Sequence, residues 1–474
     1  MGDSFNLLTE KWIPIIRNDG TVGKVGILDA LAEADRIRQI AASNPMDRVA
    51  ILRFLLALLY WGKGNQGGVE KDGFPCEPPK DLLSMLTVNR DCFNLLGDGP
   101  RFYQERNARR PRAVTDLIQE IPTGNNFWHF RHSTDAVAGL CPACCALGLL
   151  RLPLFSVSGL PDLKAGINGP PPIYVVPWGA SLLETLRANW LPVTDLGEPA
   201  WMNPSVRPEW DRDVPLLTGL TLLSRRVWLH EPAEPAGRCI CCAENAPALI
   251  RTCNFQSAGE QRNDRWNDPH VVYASEAPRK ASKAADLTRS GKFTMDRPWP
   301  RLLASIIETG KFAAARGPMQ LLVVGFATDK AKNIDVWERM FHIPPTESMP
   351  GITVALLQQW QKGGAGMAYK LRPPSDQSTR REHPEIPALL SAVRPHVEEQ
   401  VSSSVEKTLS GGEKTWQQAA KEYAPMMAAA ARSLSPGFTA SAVERRRRIA
   451  SAQPDMHLEN EDQKERGRKK GGQT

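Results

Sequence analysis

Apolar positions along this chain change their spacing several times, and each change marks an element. Phe5-Asn6-Leu7-Leu8 and Trp12-Ile13-Pro14-Ile15-Ile16 are short extended apolar patches, and Asn18-Asp19-Gly20 is a turn signal. Residues 5–20 therefore read as a short strand and turn. From Gly26-Ile27-Leu28-Asp29-Ala30-Leu31 the pattern turns helical and predicts a helix running to about Ile40. Pro45 opens a second helix, with Val49, Leu52, Leu55, Leu56 and Leu59 on one face and Arg53 and Lys63 off it. Residues 62–80 read as a Gly/Pro-rich loop and 98–137 as mostly irregular. The run Cys141–Leu150 starts buried structure and stops at Arg151. A Gly/Pro loop over 156–178 leads into the strand Ile173-Tyr174-Val175-Val176, and a helix near Leu182–Ala188 follows. Residues 196–212 form a Trp/Pro-rich loop, and strand-like pieces fill 222–329.

From about Gly351 the pattern predicts helices over 352–371, 386–406, 413–432 and 438–451, with Ser433-Leu434-Ser435-Pro436-Gly437 breaking the last two apart. Pro344-Pro345 and Pro350 mark the boundary. The expected fold class is α+β: a large mixed α/β body over 1–346 with long loops, a four-helix bundle over 347–451, and a disordered charged tail over 452–474. No internal repeat of fixed period is present.

Composition sharpens this only in part. The 474 residues give a soft prior of about three domains. Lys+Arg total 59 against Asp+Glu 52, hydrophobic residues are 42% and charged residues 23%, which excludes a mainly disordered or collagen-like chain. The net +7 is mild, so only a clustering of the basic residues points to nucleic acid. Thirty-nine prolines imply stiff, irregular connections. Met1-Gly2-Asp3-Ser4-Phe5 carries no secretory pattern, and the best apolar run, Ile51–Trp61, is short and contains Arg53. A cytoplasmic protein with no membrane partner is expected, whose nine cysteines are thiols or metal ligands.

The cysteines carry the strongest local signal. Cys141-Pro-Ala-Cys144 and Cys239-Ile-Cys241-Cys242 each offer a C-x-x-C knuckle. Two intervening residues let a tight turn aim both sulfurs at one ion, and two such turns complete a structural four-cysteine zinc site. The expected ligands are Cys141, Cys144, Cys239 and Cys242, a long-range clasp that stabilises folding directly. The plain alternative is ordinary buried thiols. A deaminase site needs H-x-E upstream of P-C-x-x-C. Here Leu140 precedes Cys141, and the H-x-E triplets at His383, His396 and His457 all lie downstream.

Basic residues do cluster. Arg279, Lys280, Lys283, Arg289, Lys292, Arg297 and Arg301 face only Asp286 and Asp296, a stretch suited to non-specific contact with a DNA backbone or to solvent. Asn125-Asn126-Phe127-Trp128-His129-Phe130-Arg131-His132 mixes aromatic and basic groups; exposed, it can stack on bases, and buried, it is core. Gly159, Gly166 and Gly169 flank Lys164 and Asn168 and permit close backbone approach to a partner. Thr328-Asp329-Lys330-Ala331-Lys332-Asn333, after the strand Leu321–Val324, reads as a polar turn tip. Leu409-Ser410-Gly411-Gly412-Glu413 resembles an ABC-ATPase signature, but no phosphate-cradling G-x-x-x-x-G-K-[ST] accompanies it. No catalytic constellation is visible.

Four places together resemble the CasA family, the large subunit of the type I-E CRISPR Cascade complex. Phe5-Asn6-Leu7-Leu8-Thr9-Glu10-Lys11-Trp12-Ile13-Pro14 matches its opening. The paired knuckles come second, and Lys164-Ala165-Gly166-Ile167-Asn168-Gly169 through Pro172 is similar to its glycine-rich loop. Gly325-Phe326, the Thr328–Lys332 turn, Trp337 and Pro344 look like the hairpin that precedes its helical bundle.

The resemblance implies a non-catalytic subunit that reads the short protospacer-adjacent motif (PAM) in double-stranded target DNA and starts strand separation, while a guide RNA reads the sequence. It implies minor-groove readout. Gly159, Lys164, Gly166, Asn168 and Gly169 would touch the PAM duplex, and Thr328, Asp329, Lys330 and Ala331 would form the reading and wedge hairpin. Asn126, Phe130 and Arg131 would sit on a loop near guide and DNA. Lys330 stands where some relatives carry Gln. Implied partners are the other Cascade subunits with their guide RNA, target DNA, and either a recruited helicase–nuclease or a nuclease domain fused to another subunit. The competing readings are a zinc-dependent nucleic-acid hydrolase and a zinc-stabilised scaffold without DNA contact.

Overall fold

The computed structural model describes residues 5–64, 74, 80–120, 139–156, 163–169, 173–232, 236–259, 261, 265–271, 319–329 and 332–343. The chain divides into two units, Met1–Met295 with Met319–Phe341 and Asp296–Pro318 with His342–Thr474, and the described residues belong almost wholly to the first. That part is mixed helix and strand, as expected for an α+β chain. The expected helices beyond residue 351, and the tail, lie outside the described residues.

The first strand pair follows the sequence pattern. β1 (Ile13–Arg17) pairs antiparallel with β2 (Val22–Val25), with Ile13 opposite Val25. Between them Gly20 takes a φ of +88°, which a side chain would strain. The helix expected to reach Ile40 does not. It ends as α1 (Ile27–Ala32), and β3 (Ile37–Ile40) pairs with the other edge of β1, Ile15 opposite Ile40. Ile37 and Ile40 are three apart, a spacing that fits a helix turn, but the free backbone groups of β1 need partners and this segment supplies them.

The helix opened by Pro45 is α2 (Pro45–Lys63), with Asn44 as its cap: its Oδ1 accepts from Met46 N at 2.8 Å. Nearly every residue of α2 is buried, including Arg53, which lies off the predicted apolar face and is only 3% exposed. Against α2 pack α3 (Lys80–Val88) and α4 (Pro142–Phe155), then α5 (Leu182–Ala188) and α6 (Leu216–Thr221). α5 has the expected limits, and Ser181 caps it by accepting from Glu184 N at 3.2 Å. Neither α3 nor α6 stood out in the sequence. α4 runs past Arg151, which is 1% exposed. Arg151 donates Nε to Asp47 Oδ1 at 2.5 Å and Nη2 to Oδ2 at 2.7 Å, a two-pronged pair that lets a cation sit inside a buried helix.

Among the described residues the chain makes three further small sheets. β4 (Pro111–Ala113), β6 (Arg225–Leu229) and β9 (Thr252–Ser257) form one in the order β4-β9-β6. β7 (Gly237–Arg238) and β8 (Asn245–Ala246) form a hairpin. β5 (Tyr174–Trp178) pairs antiparallel with β10 (Met319–Asp329), which returns as β11 (Lys332–Ile343). The expected hairpin is therefore present, with longer strands than the apolar run Leu321–Val324 suggests.

One polar network ties these pieces together. Arg53 Nη1 donates to Asp268 Oδ1 at 2.6 Å and meets His270 Nδ1 at 3.3 Å. His270 Nε2 meets Asn189 Oδ1 at 3.1 Å, while Asn189 Nδ2 donates to the carbonyls of Pro177 and Thr185. Asn189 Oδ1 is thus an acceptor, which assigns the His270 proton to Nε2 and leaves Nδ1 to accept from Arg53. Burial would raise the Asp268 pKa, but the adjoining Arg53 guanidinium and the His270 backbone N–H outweigh it and hold the carboxylate at about 2. The pair is buried, and losing one partner of a buried pair costs about 3–5 kcal/mol.

Asp268 is depressed below its ordinary value of 3.8, so its stabilisation is present above about pH 4 and is lost as pH falls through about 2. Asp268→Asn is expected to lower the melting temperature at neutral pH. Its acid unfolding between about pH 5 and pH 2 should be shallower than that of the parent. Thermal melts across that range check both, and an unchanged acid limb would remove Asp268 from this role.

Candidate metal centre and glycine turn

The two cysteine knuckles meet because the backbone on either side of them pairs. Leu140 N donates to Ile250 O and Ile250 N to Leu140 O, both at 2.9 Å, and Ile240 N donates to Gly139 O at 3.1 Å. Gly139 is needed at this crossing: a Cβ there would lie 2.8 Å from Leu249 Cβ and 2.9 Å from Ile250 O. Cys141 is the cap residue of α4, and Cys144 lies in its first turn. Cys239 and Cys242 sit in the β7–β8 turn, where Cys239 N donates to Glu244 O and Ala243 takes a positive φ of 62°. The sulfurs of Cys141, Cys144, Cys239 and Cys242 all lie within 4.8 Å of one another, and those of Cys141 and Cys242 are 3.7 Å apart. Four thiolates around a tetrahedral ion at about 2.3 Å are separated by about 3.8 Å. The set therefore fits one such ion, and Cys241 is not one of its four members.

Hydrogen bonds with the Cys141 and Cys144 thiols lower the Cys239 pKa below the usual range, while hydrogen bonds with Cys141, Cys239 and Cys241 raise that of Cys144. The clasp is further held by Lys24, whose Nζ is 2.5 Å from Glu244 Oε2. Cys145 and Cys253 are buried thiols that burial keeps protonated, with Cys253 pushed up to about 12. They are core residues.

The glycine segment is a turn rather than an open loop. Gly169 N donates to Gly166 O at 2.8 Å, and Gly169 has a φ of +75°, which glycine alone takes without strain. Ile167 and Asn168 between them are buried. Asn168 Nδ2 donates to Asp268 Oδ2 at 2.9 Å and to Tyr174 Oη at 3.1 Å, so the turn hangs from the network around Arg53. Lys164 is exposed, and its carbonyl accepts from Arg225 Nη1 at 2.5 Å. The side chain of Asn168 thus faces inward, and only Lys164 among the described residues of this segment presents a charged group outward. Sequence reasoning missed Arg225, Asp268 and Tyr174 as supports of the turn; their partners are remote in sequence.

Thr328 and Asp329 end β10. Lys330, Ala331, Gly159, Asn126, Phe130, Arg131, Arg279, Lys280, Lys283, Arg289 and Lys292 lie outside the described residues. Among the described residues no helix is long and apolar enough to cross a membrane.

The model of the CRISPR-associated protein Cse1 family matches residues 6–451. The chain belongs to the Cse1 family. A CRISPR-associated protein CasA/Cse1 of Thermus thermophilus is 31% identical over 222 residues, a match that spans 43% of each protein. The fold is that of solved Cse1 structures. Thermus thermophilus CasA (Cse1) superposes with a TM-score of 0.65 at 21% identity, covering 94% of this chain and 99% of that one. Cse1 from Acidimicrobium ferrooxidans gives 0.62 at 18%, covering 96% and 99%. A chain of a CRISPR RNA-guided surveillance complex gives 0.66 at 15%, covering 95% and 99%.

Asn168→Asp would set a second carboxylate against Asp268 at the present 2.9 Å contact. It is expected to destabilise the folded unit by about 3 kcal/mol or more, whereas Lys164→Ala should change stability by less than about 0.5 kcal/mol. Urea unfolding of both variants checks the contrast.

Proposed function

We propose that this protein is a non-catalytic subunit of a type I-E Cascade complex, which recognises the PAM of duplex target DNA and helps start unwinding. The family match over residues 6–451, with a fold shared by a chain of an RNA-guided surveillance complex, is the observation that carries the reading. Its partners are the other Cascade subunits with their guide RNA, the target duplex, and an effector nuclease for which it provides a docking surface, all in the cytoplasm. Lys164 and the backbone of the Gly166–Gly169 turn approach the duplex, and Asn168 acts through the position of the turn. Thr328, Asp329, Lys330 and Ala331 form the tip that reads and wedges, and Gly159 supports the glycine side. The basic stretch with Arg279, Lys280, Lys283, Arg289 and Lys292 contacts phosphates, and Asn126, Phe130 and Arg131 lie near guide and DNA. A helical bundle over 347–451 completes the subunit.

The four cysteines hold a structural zinc ion. Zinc supplies four bonds between knuckles almost a hundred residues apart and leaves no open position for catalysis. This favours the structural role over a zinc-dependent hydrolase.

Two outcomes are expected. The complex co-purified with its guide RNA binds duplex DNA with a PAM bias, and Lys330→Ala weakens that bias when the complex is selected against a randomised PAM library. An unbiased wild-type complex would refute the PAM reading; an unaltered variant would only remove Lys330. Elemental analysis of the purified chain should find about one zinc per chain, absent from Cys141→Ser/Cys239→Ser, as one closed four-thiolate site requires. Purified wild-type chain without zinc would eliminate the clasp.

A further inference from the structure

The two knuckles carry one thiol more than a four-coordinate ion uses. Cys141 and Cys144 come from the start of α4, and Cys239, Cys241 and Cys242 come from the β7–β8 turn. The four whose sulfurs lie within 4.8 Å of one another leave Cys241 over. Yet Cys241 is not turned away from the site. Its thiol is hydrogen-bonded to that of Cys144, while the Cys242 sulfur lies 3.7 Å from that of Cys141. Two successive residues of the turn thus reach two different ligands of the facing knuckle.

The turn is built so that one of these sulfurs can replace the other. Its frame is fixed at the residues around them. Cys239 N donates to Glu244 O at 2.8 Å, Ile240 N to Gly139 O at 3.1 Å and Ala243 N to Cys239 O at 2.9 Å. Cys241 and Cys242 lie between these anchors, and both are exposed. An exchange of ligand there moves an exposed turn and leaves the packed core alone. The other knuckle has a matching neighbour, Cys145, without that freedom. It is fully buried in α4, and its N donates to Cys141 O at 3.1 Å. Zinc imposes no geometric preference through its filled d shell. It can therefore take Cys141, Cys144 and Cys239 together with either exposed thiolate.

We propose that Cys241 is a reserve ligand of the clasp: when the Cys242 thiolate is lost, Cys241 takes the fourth place on the ion. The inference rests on the structural zinc reading above and extends it from one ligand set to two. Cys242 is the ligand that most needs a substitute. Of the four it alone is exposed, so its sulfur is the most open to attack from solvent. A reserve thiol one residue away keeps the two knuckles tied.

The test uses the full-length chain purified with zinc, alkylated with iodoacetamide in its folded state and mapped by peptide mass spectrometry. Zinc content is measured on the same samples. A thiolate held by the ion is spared, and a free exposed thiol is alkylated. In the parent about one zinc per chain is expected, with Cys242 spared and Cys241 alkylated. Cys242→Ser should keep about one zinc and should now spare Cys241, until a chelator removes the ion. Cys241→Ser should keep its zinc, and Cys241→Ser/Cys242→Ser should lose most of it. A Cys242→Ser chain without zinc, or with zinc and an alkylated Cys241, would overturn the reserve role alone. Unfolding of that variant counts against it equally, because a working reserve preserves the clasp. A double variant holding as much zinc as Cys242→Ser would overturn it too. Loss of zinc from Cys241→Ser, or sparing of Cys241 in the parent, would make Cys241 a resident ligand and end the proposal. A parent without zinc would instead refute the zinc reading itself.

Discussion

A cation buried in the middle of the longest described helix sets the terms for the rest of the first unit. Arg53 cannot stay in an apolar interior unless a carboxylate meets it, and the one that does, Asp268, is 215 residues away. Bringing it there forces the segment around His270 against β5, where Val175 N donates to His270 O at 2.7 Å. Tyr174 beside it shields the guanidinium, whose carbon is 5.2 Å from the ring centre. The same carboxylate has a second oxygen, and Asn168 occupies it. One ion pair thus fixes α2, β5, α5 and the glycine turn relative to one another. The turn has the composition of a loose loop and the anchoring of a core element.

Arg151 repeats the solution on α4, with Asp47 of α2 as its partner. Between the two pairs, α2 is fastened on both sides by charges as well as by its leucines. This explains a helix whose periodicity is weak: it is apolar all round, and its polar positions are sites of attachment rather than a solvent face. The cysteine clasp is built differently. Three of its cysteines are buried in the core and Cys242 is exposed, and the segments that carry them are shaped by local turns.

What could be read from the sequence follows from the range of each interaction. α5 was legible because its cap, Ser181, and its apolar residues are all local. The knuckles were legible because C-x-x-C states its chemistry in four residues. The hairpin of β10 and β11 was legible as an apolar run before a polar turn, though its strands extend further on both sides. β3 was mistaken for helix because two isoleucines three apart satisfy either geometry, and the edge of β1 decided between them. Arg53 was placed off the apolar face, and nothing near it in sequence announces that Asp268 would meet it. Asn168 looked like a group aimed at a partner for the same reason. The glycine turn was found, but the side of it that faces inward was not.

The Arg53–Asp268 pair also orders events in time. The chain emerges from the ribosome amino end first, at about 5–20 residues per second. Helix α2 and its guanidinium are therefore synthesised long before the carboxylate that neutralises it, and β10, which covers β5, follows later still. A nascent chain stopped short of residue 268 leaves Arg53 without the carboxylate that neutralises it. The polar network of the unit is consequently completed by its late segments.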